Sequence, residues 1–178
     1  MLKKRHLLLL FSLALAFSLQ AAKKKPNIIF ILADDLGYND LSCYGQKNFK
    51  TPVLDKMAKE GMKFTQHYAG STVCGPSRST LMTGLHTGNT YLRGNGSVAL
   101  PPDPASPTIG SHLQKAGYVT AMIGKSGVAC NSNDASLPNK KGFDHFYGYL
   151  AHLAAHHHFP RSLWKNGEKV TFPGNHEK

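Results

Sequence analysis

Acidic residues are scarce in this sequence: 10 aspartates and glutamates stand against 21 lysines and arginines, for a formal net charge of +11 over 178 residues. An excess of positive charge is common in proteins that bind nucleic acids. The chain, however, has no basic helix interleaved with aromatic residues and no recognisable nucleic-acid module, so no nucleic-acid partner is predicted. The lysines are spread along the chain, with one short cluster at residues 23–25. The charge therefore predicts a solvated basic surface that attracts polyanions.

Cysteine is also scarce, with three residues at Cys43, Cys74 and Cys130. No pair of them has the spacing of metal ligands, which argues against a zinc site. An odd count in an exported chain leaves at least one free thiol or one modified cysteine.

The sequence lacks an apolar run of the roughly 20 residues that a membrane-spanning helix needs. It begins instead with Lys3, Lys4 and Arg5, an apolar stretch over residues 7–19, and small residues at 21–22. This layout predicts a secretory signal peptide over residues 1–22 and a periplasmic or secreted mature chain, residues 23–178, that is not an integral membrane protein. The alternative is an uncleaved membrane anchor, for which the apolar stretch is short.

Apolar runs and turn residues predict alternating strands and helices. Residues 27–33 form a continuous apolar run typical of a buried strand, and residues 62–68 and 118–123 predict two more strands. Helices are predicted after Thr51-Pro52 up to Gly61, over residues 76–83 and over residues 108–116. Residues 85–107 predict a long surface loop. Around Asn166-Gly167 the sequence predicts a β-hairpin. The alternation predicts an α/β sandwich with a mostly parallel central sheet flanked by helices.

Three polar segments lie where such a sheet places ligands, past the carboxyl ends of strands: Asp34-Asp35, the run that starts at Cys74, and Gly124-Lys125. Asp34 and Asp35 offer hard oxygen ligands for a divalent cation, although an aspartate pair is more often a turn or cap device. Cys74 precedes a proline-initiated helix whose dipole favours negative charge, and Arg78 lies one turn further on. A nucleophile, an anion-binding helix start and an arginine suit an anionic tetrahedral ester. A buried structural cysteine before an ordinary helix is the alternative.

The run C-x-P-S-R-x-x-L-x-T-G, about forty residues after the aspartate pair, resembles the signature of formylglycine-dependent sulfatases of the arylsulfatase type, in the alkaline-phosphatase superfamily. The resemblance continues to the Gly-Phe-Asp segment at 142–144 and covers essentially the whole mature chain. The matching motif residues are Cys74, Pro76, Ser77, Arg78, Leu81, Thr83 and Gly84. The resemblance implies an alkaline-phosphatase-like fold and cleavage of a sulfate ester, a sulfated carbohydrate being one candidate substrate.

The resemblance also implies a role for each site residue. Cys74, converted to formylglycine by a maturation enzyme, supplies the nucleophilic oxygen of a hydrated aldehyde, and Arg78 stabilises it. Asp34, Asp35 and residue 74 ligate Ca²⁺, and Lys125 contacts the sulfate. Two departures from the family pattern follow this lysine, at Ser126 and Gly127. His156, in a histidine run, resembles a substrate-side residue, although such a run also suits an exposed loop.

The remaining metal ligands and acid–base residues of the family would fall after residue 178. We therefore expect a truncated catalytic domain, residues 23–178, that is inactive on its own. Two alternatives to the hydrolase interpretation remain open. One is an inactive remnant that binds anions or metal, and the other is a phosphonate or phosphodiester hydrolase of the same superfamily.

Overall fold

A computed structural model describes residues 24–96, 99–129 and 135–175. The chain divides into two compact units, residues 1–33 and residues 34–178. The predicted signal peptide, residues 1–22, and Cys130 lie outside the described residues. Within the described ranges, no helix is long and apolar enough to cross a bilayer.

The described part of the first unit, residues 24–33, contains no strand, so the strand predicted over 27–33 is wrong here. Ile29 and Ile31 are 86% and 79% exposed. A continuous apolar run forms a strand when neighbouring strands pair with its backbone and both its faces are covered. Neither condition holds for this segment as described.

The described part of the second unit contains three α-helices: α1 (Pro52–Glu60), α2 (Cys74–Thr83) and α3 (Ile109–Lys115). All three confirm predicted helices. Thr51 occupies the N-cap of α1 as predicted, but its hydroxyl bonds to Ser42 and Asp55 instead of capping the helix. Thr108 does cap α3, accepting a hydrogen bond from the Ser111 amide. Single 3₁₀ turns also occur among the residues that the structure describes, at Tyr38–Asp40, Ser42–Tyr44, Pro138–Lys141, Leu153–His156 and Pro173–Asn175.

The described sheet has four strands in the order β1 (Ala121–Lys125), β2 (His145–Tyr149), β3 (Ser162–Lys165) and β4 (Glu168–Thr171). Strands β1 and β2 are parallel, whereas β2–β3 and β3–β4 are antiparallel. The sheet is therefore mixed, not mostly parallel as predicted. The predicted parallel strands at 27–33 and 62–68 do not contribute to it, and the hairpin adds antiparallel pairs.

The predicted strand at 62–68 is also wrong: its residues form no ladder, and Met62 and Tyr68 are each 78% exposed. Strand β1 is real but begins at Ala121 instead of residue 118. Strand β2 was not predicted. At Gly148 it approaches β1 so closely that a Cβ would lie 1.9 Å from the carbonyl oxygen of Gly124, which restricts this position to glycine.

Two small apolar clusters form the core of the described part of the chain. One lies against the sheet and contains Ala129, Leu137, Phe146 and Leu150, with Met122 and Trp164 packed on it. The other joins the loop of residues 85–107 to the segment after β1 and contains Leu92, Leu100 and Val128. Within its described residues this loop has no helix or strand, as predicted.

The fully buried Lys141 also holds this loop. Its ammonium contacts the Asp103 carboxylate at 3.0 Å, the Ser106 carbonyl at 2.8 Å and the Pro101 carbonyl. A buried ammonium that donates to three oxygens is well compensated for its lost hydration.

Candidate active site

The motif cysteine is the first residue of helix α2, two residues earlier than the predicted start. The helix begins here because the Ser77 amide donates to the Val73 carbonyl at 3.1 Å. It ends at Gly84, whose φ of +69° allows its amide to bond to Thr80. Cys74 is half-buried at the positive end of the helix dipole, where a developing negative charge is favoured.

Asn95 contacts the start of this helix from the loop of residues 85–107. Its Oδ1 accepts a hydrogen bond from the Gly75 amide at 2.8 Å. Its Nδ2 lies 3.5 Å from the Sγ of Cys74 and donates to it. No sequence signal marks this residue as part of the site, because an asparagine between two loop glycines indicates only a turn.

Arg78 lies one helical turn after Cys74, and its side chain is 11% exposed. Its guanidinium donates from Nη2 to the Oδ1 of Asp34 at 3.0 Å and from Nη1 to the carbonyl of Lys125. Arg78 therefore connects helix α2 with the end of strand β1 and with the carboxylate at the start of the second unit.

Lys125 ends strand β1, as the sequence placed it at a strand terminus. Its ammonium lies 3.0 Å from the Oδ2 of Asp34, and its side chain is 7% exposed. The single carboxylate of Asp34 is thus shared by two largely buried cations, so the three-residue group has a net positive charge. Burial alone would raise the pKa of Asp34, but the hydrogen bonds from Lys125 and Arg78 outweigh this effect and lower the pKa below its ordinary value.

Asp35 is exposed and has a φ of +56°, an uncommon value for a residue with a side chain. Across the ranges that the structure covers, no three His, Cys, Asp or Glu side chains are grouped to hold a metal. Both oxygens of Asp34 are engaged by cations. The arrangement described here therefore does not fit Ca²⁺, although carboxylate oxygens are the ligands it prefers.

His156 is exposed at the end of the 3₁₀ turn Leu153–His156. In the same segment, His152 reaches the site instead. A Cβ on Gly75 would lie 3.0 Å from its Nε2, and a Cβ on Gly127 would lie 3.0 Å from its Cε1. Burial and the positive charges of Lys125 and Arg78 lower the pKa of His152 below its ordinary value, so the ring is neutral at pH 7.

The two ring nitrogens of His152 are buried, and among the described residues neither makes a hydrogen bond of ordinary geometry, although the Gly127 backbone lies near enough to act against the lowering of the pKa. The sequence singled out His156, and only packing identifies His152, four residues earlier. Glycine at both 75 and 127 makes room for this ring. The site therefore comprises Cys74, Asn95, Arg78, Lys125, Asp34 and His152.

Comparison with known proteins relates the chain to one family. The family model described as "Sulfatase" matches residues 26–171. Human arylsulfatase D is 43% identical over 138 residues, which cover 70% of this chain and 23% of that protein. Human steryl-sulfatase is 42% identical over 142 residues, covering 71% of this chain and 24% of that protein. The chain thus spans about a quarter of the length of these relatives.

Solved structures give the same result. Ps i-CgsB superposes with a TM-score of 0.63 at 38% identity, covering 72% of this chain and 29% of that one, and it has also been solved in complex with k-i-k-neocarrahexaose. BT33336S-sulf, from work on glycosaminoglycan metabolism by Bacteroides thetaiotaomicron, superposes with a TM-score of 0.69 at 34% identity, covering 82% of this chain and 32% of that one. By the extent of the family match and these identities, the chain belongs to the sulfatase family.

Proposed function

We propose that this chain supplies the nucleophile, the arginine and the lysine of a sulfuric ester hydrolase, and that residues 23–178 are the N-terminal part of its catalytic domain. The observation that carries the proposal is the contact of Arg78 and Lys125 with one carboxylate beside helix α2. Two poorly hydrated cations that share one anion have charge left to stabilise an anionic group. A sulfate ester has that charge and a tetrahedral arrangement of oxygens.

Residue 74 is the proposed nucleophile. Conversion of Cys74 to formylglycine by a maturation enzyme would provide a hydrated aldehyde, whose oxygen attacks sulfur as the alcohol leaves. The helix dipole and the amide donors at the start of α2 favour the negative charge that develops there. Asn95 Nδ2, which contacts Sγ in the unmodified chain, would remain within reach of an oxygen on the same side chain.

Arg78 and Lys125 are proposed to bind the sulfate oxygens. Each donates to Asp34 in the described arrangement, so an incoming anion would compete with this carboxylate for their N–H groups. Asp34 would then be released from one or both cations. His156 remains a candidate substrate-side residue, since its exposure leaves it accessible to the organic part of an ester.

Ca²⁺ is proposed as a requirement of the complete enzyme on the strength of the resemblance alone. Asp34 and Asp35 are the oxygen donors that this chain would contribute, together with residue 74. In the arrangement described, Asp34 must exchange its contacts with Arg78 and Lys125 before it can ligate an ion.

The substrate is proposed to be a sulfated carbohydrate, and the location to be periplasmic or secreted. Two of the matched structures are named for an oligosaccharide complex and for glycosaminoglycan metabolism, which supports a sugar ester, whereas two matched relatives are named for aryl and steroid sulfates. The positive surface would attract such polyanions.

Titration of the 178-residue protein with inorganic sulfate and with 4-nitrophenyl sulfate, followed by calorimetry, tests the proposal. Loss of one charge-assisted hydrogen bond costs about 1.5–3 kcal/mol, so Arg78→Met and Lys125→Met should each weaken binding about tenfold or more. Lys125→Arg, which keeps the charge, should weaken it less. The exposed Lys169→Met is the matched control and should bind like the parent.

Two results would contradict the proposal. Binding that is absent, or equal in all these variants, would remove Arg78 and Lys125 from the sulfate site. Tighter binding of a singly charged phosphonate monoester, 4-nitrophenyl phenylphosphonate, than of 4-nitrophenyl sulfate would favour the phosphonate hydrolase class instead.

A further inference from the structure

The loop beside the nucleophile is anchored at alternate residues. Thr90 is 2% exposed, and its hydroxyl is hydrogen-bonded to that of Ser79 in helix α2. Leu92 is also 2% exposed and packs with Leu100 and Val128. Burial of residues 90 and 92 therefore holds the neighbouring residues of the loop in place.

Tyr91 and Arg93 are these neighbours, and both are exposed. They line an open cavity of about 490 Å³ together with Gly94, Asn95 and Gly96. The Tyr91 hydroxyl donates to the Ala105 carbonyl at 3.2 Å, which fixes the ring at the cavity edge. The glycines contribute no side chains, so the space beside Asn95 stays open.

Asn95 belongs both to this cavity and to the site. The same side chain that lines the cavity accepts from the Gly75 amide and donates to Cys74. The cavity is therefore adjacent to the nucleophile, where the organic part of a bound ester would lie.

Arg93 gives the cavity its charge. One guanidinium nitrogen, Nη2, donates to the Gly88 carbonyl at 2.8 Å. In the part of the chain that the structure describes, no carboxylate forms an ion pair with Arg93. A guanidinium carries several further N–H donors in a planar fork that matches a carboxylate or a sulfate group.

We propose that this cavity is the subsite for the sugar of the ester, and that Arg93 makes it selective for sulfated saccharides that carry a second anionic group. Tyr91 lies against the sugar ring, and Asn95 joins the subsite to the nucleophile. The proposal rests on the proposed function, because it assumes that the scissile sulfate binds at Arg78 and Lys125.

The test compares one monosulfated with several disulfated sugars on the 178-residue protein. Galactose 6-sulfate and the 2,6-, 3,6- and 4,6-disulfates are titrated by calorimetry at low salt and again at physiological salt. At least one disulfate should bind about tenfold or more tightly than the monosulfate, the value expected of one bidentate arginine contact. The advantage should persist at physiological salt, where general surface attraction is screened.

Amino-acid substitutions test whether the tighter binding of the disulfate comes from the cavity. Arg93→Ala should abolish the preference for the disulfate over galactose 6-sulfate, and Tyr91→Leu should weaken the binding of both sugars. The matched control is Arg161→Ala, which removes an exposed arginine directly before strand β3. This variant should keep the preference for the disulfate. Circular dichroism verifies that each variant is folded.

The outcomes separate the two proposals. Equal binding of all sugars, or the same loss in Arg161→Ala as in Arg93→Ala, overturns the subsite while the sulfate site stands. Absence of inorganic sulfate binding in the parent protein overturns the proposed function and the subsite with it.

Discussion

The ammonium of Lys125 lies 3.0 Å from the carboxylate of Asp34, although 91 residues separate them in the sequence. Arg78 donates to the other oxygen of the same carboxylate at 3.0 Å. One side chain therefore holds together the end of strand β1, helix α2 and the start of the second unit. Its charge is what permits two cations to remain largely buried side by side.

Asp34→Asn is expected to destabilise the chain by about 2 kcal/mol, because it leaves Arg78 and Lys125 without their common counter-charge. The figure is below that for a fully buried pair, since the Asp34 side chain is 40% exposed. Glu60→Gln is the control: its pair with Lys56 is exposed at 3.8 Å and should contribute about 0.5 kcal/mol or less. Urea denaturation measures both. Equal effects of the two substitutions would show that the Asp34 pairs add no stability.

Cys74 is expected to carry the formylglycine when the chain is produced with a maturation enzyme. Peptide mass spectrometry should show a loss of about 18 Da at residue 74, the change from thiol to aldehyde. Cys43, which is also half-buried but lacks the motif, is the internal control and should keep its mass. An unmodified Cys74 beside a functioning maturation enzyme would count against the assignment of the nucleophile.

Asp144 should make stability depend on pH under acidic conditions. The Thr120 amide at 2.8 Å and the Gln114 side-chain amide at 2.7 Å lower the pKa of its carboxyl group below the ordinary value. A lowered pKa contributes stability above the unfolded-state value of about 3.9 and loses it as the pH falls through the folded-state value.

The free energy of unfolding of Asp144→Asn should therefore be below that of the parent at pH 7, with the difference shrinking as the pH approaches 3. Thermal and urea unfolding across this range measure it. Glu60→Gln provides the baseline for loss of an exposed carboxylate. A difference that stays constant with pH would mean that Asp144 acts through its shape and not its charge.

Local signals predicted the elements that depend on local structure. Helix α1 lies between Thr51 and Gly61 as predicted, and the hairpin turns at Asn166 and Gly167, whose φ values of +49° and +89° suit the predicted turn. The failed strands at 27–33 and 62–68 have suitable residues but no paired neighbours. Strand formation requires partners elsewhere in the chain, and a local pattern cannot supply them.

In the site, too, some residues are predictable from local sequence and others depend on tertiary packing. The motif and the strand ends predicted Asp34, Arg78 and Lys125, and the structure places these three in contact; their catalytic and metal-binding roles stay predictions. Asn95 and His152 come from irregular segments whose positions depend on tertiary packing. No periodicity or spacing marks such residues, so only the folded structure identifies them.

Gly127 illustrates how a departure from the family pattern is explained by packing. Its φ is +69°, and a Cβ there would lie 2.6 Å from the Cδ of Arg78 as well as 3.0 Å from the His152 ring. Substitution therefore adds two separate costs, a strained backbone and the displacement of the arginine. Gly84 allows the two costs to be measured separately. It has the same φ of +69°, but no neighbouring atom lies within 4 Å of an added Cβ, so its substitution adds only the backbone strain.

Gly84→Ala should destabilise the chain by about 1–2 kcal/mol, the cost of the left-handed conformation for a residue with a side chain. Gly127→Ala should cost more, because Arg78 must also move away from Asp34 and the Lys125 carbonyl. Calorimetric titration with inorganic sulfate gives the second measurement: affinity should fall about tenfold in Gly127→Ala and stay unchanged in Gly84→Ala. If the two variants lose equal stability and bind sulfate equally, the space at Gly127 does not position Arg78, and its conformation alone accounts for the glycine.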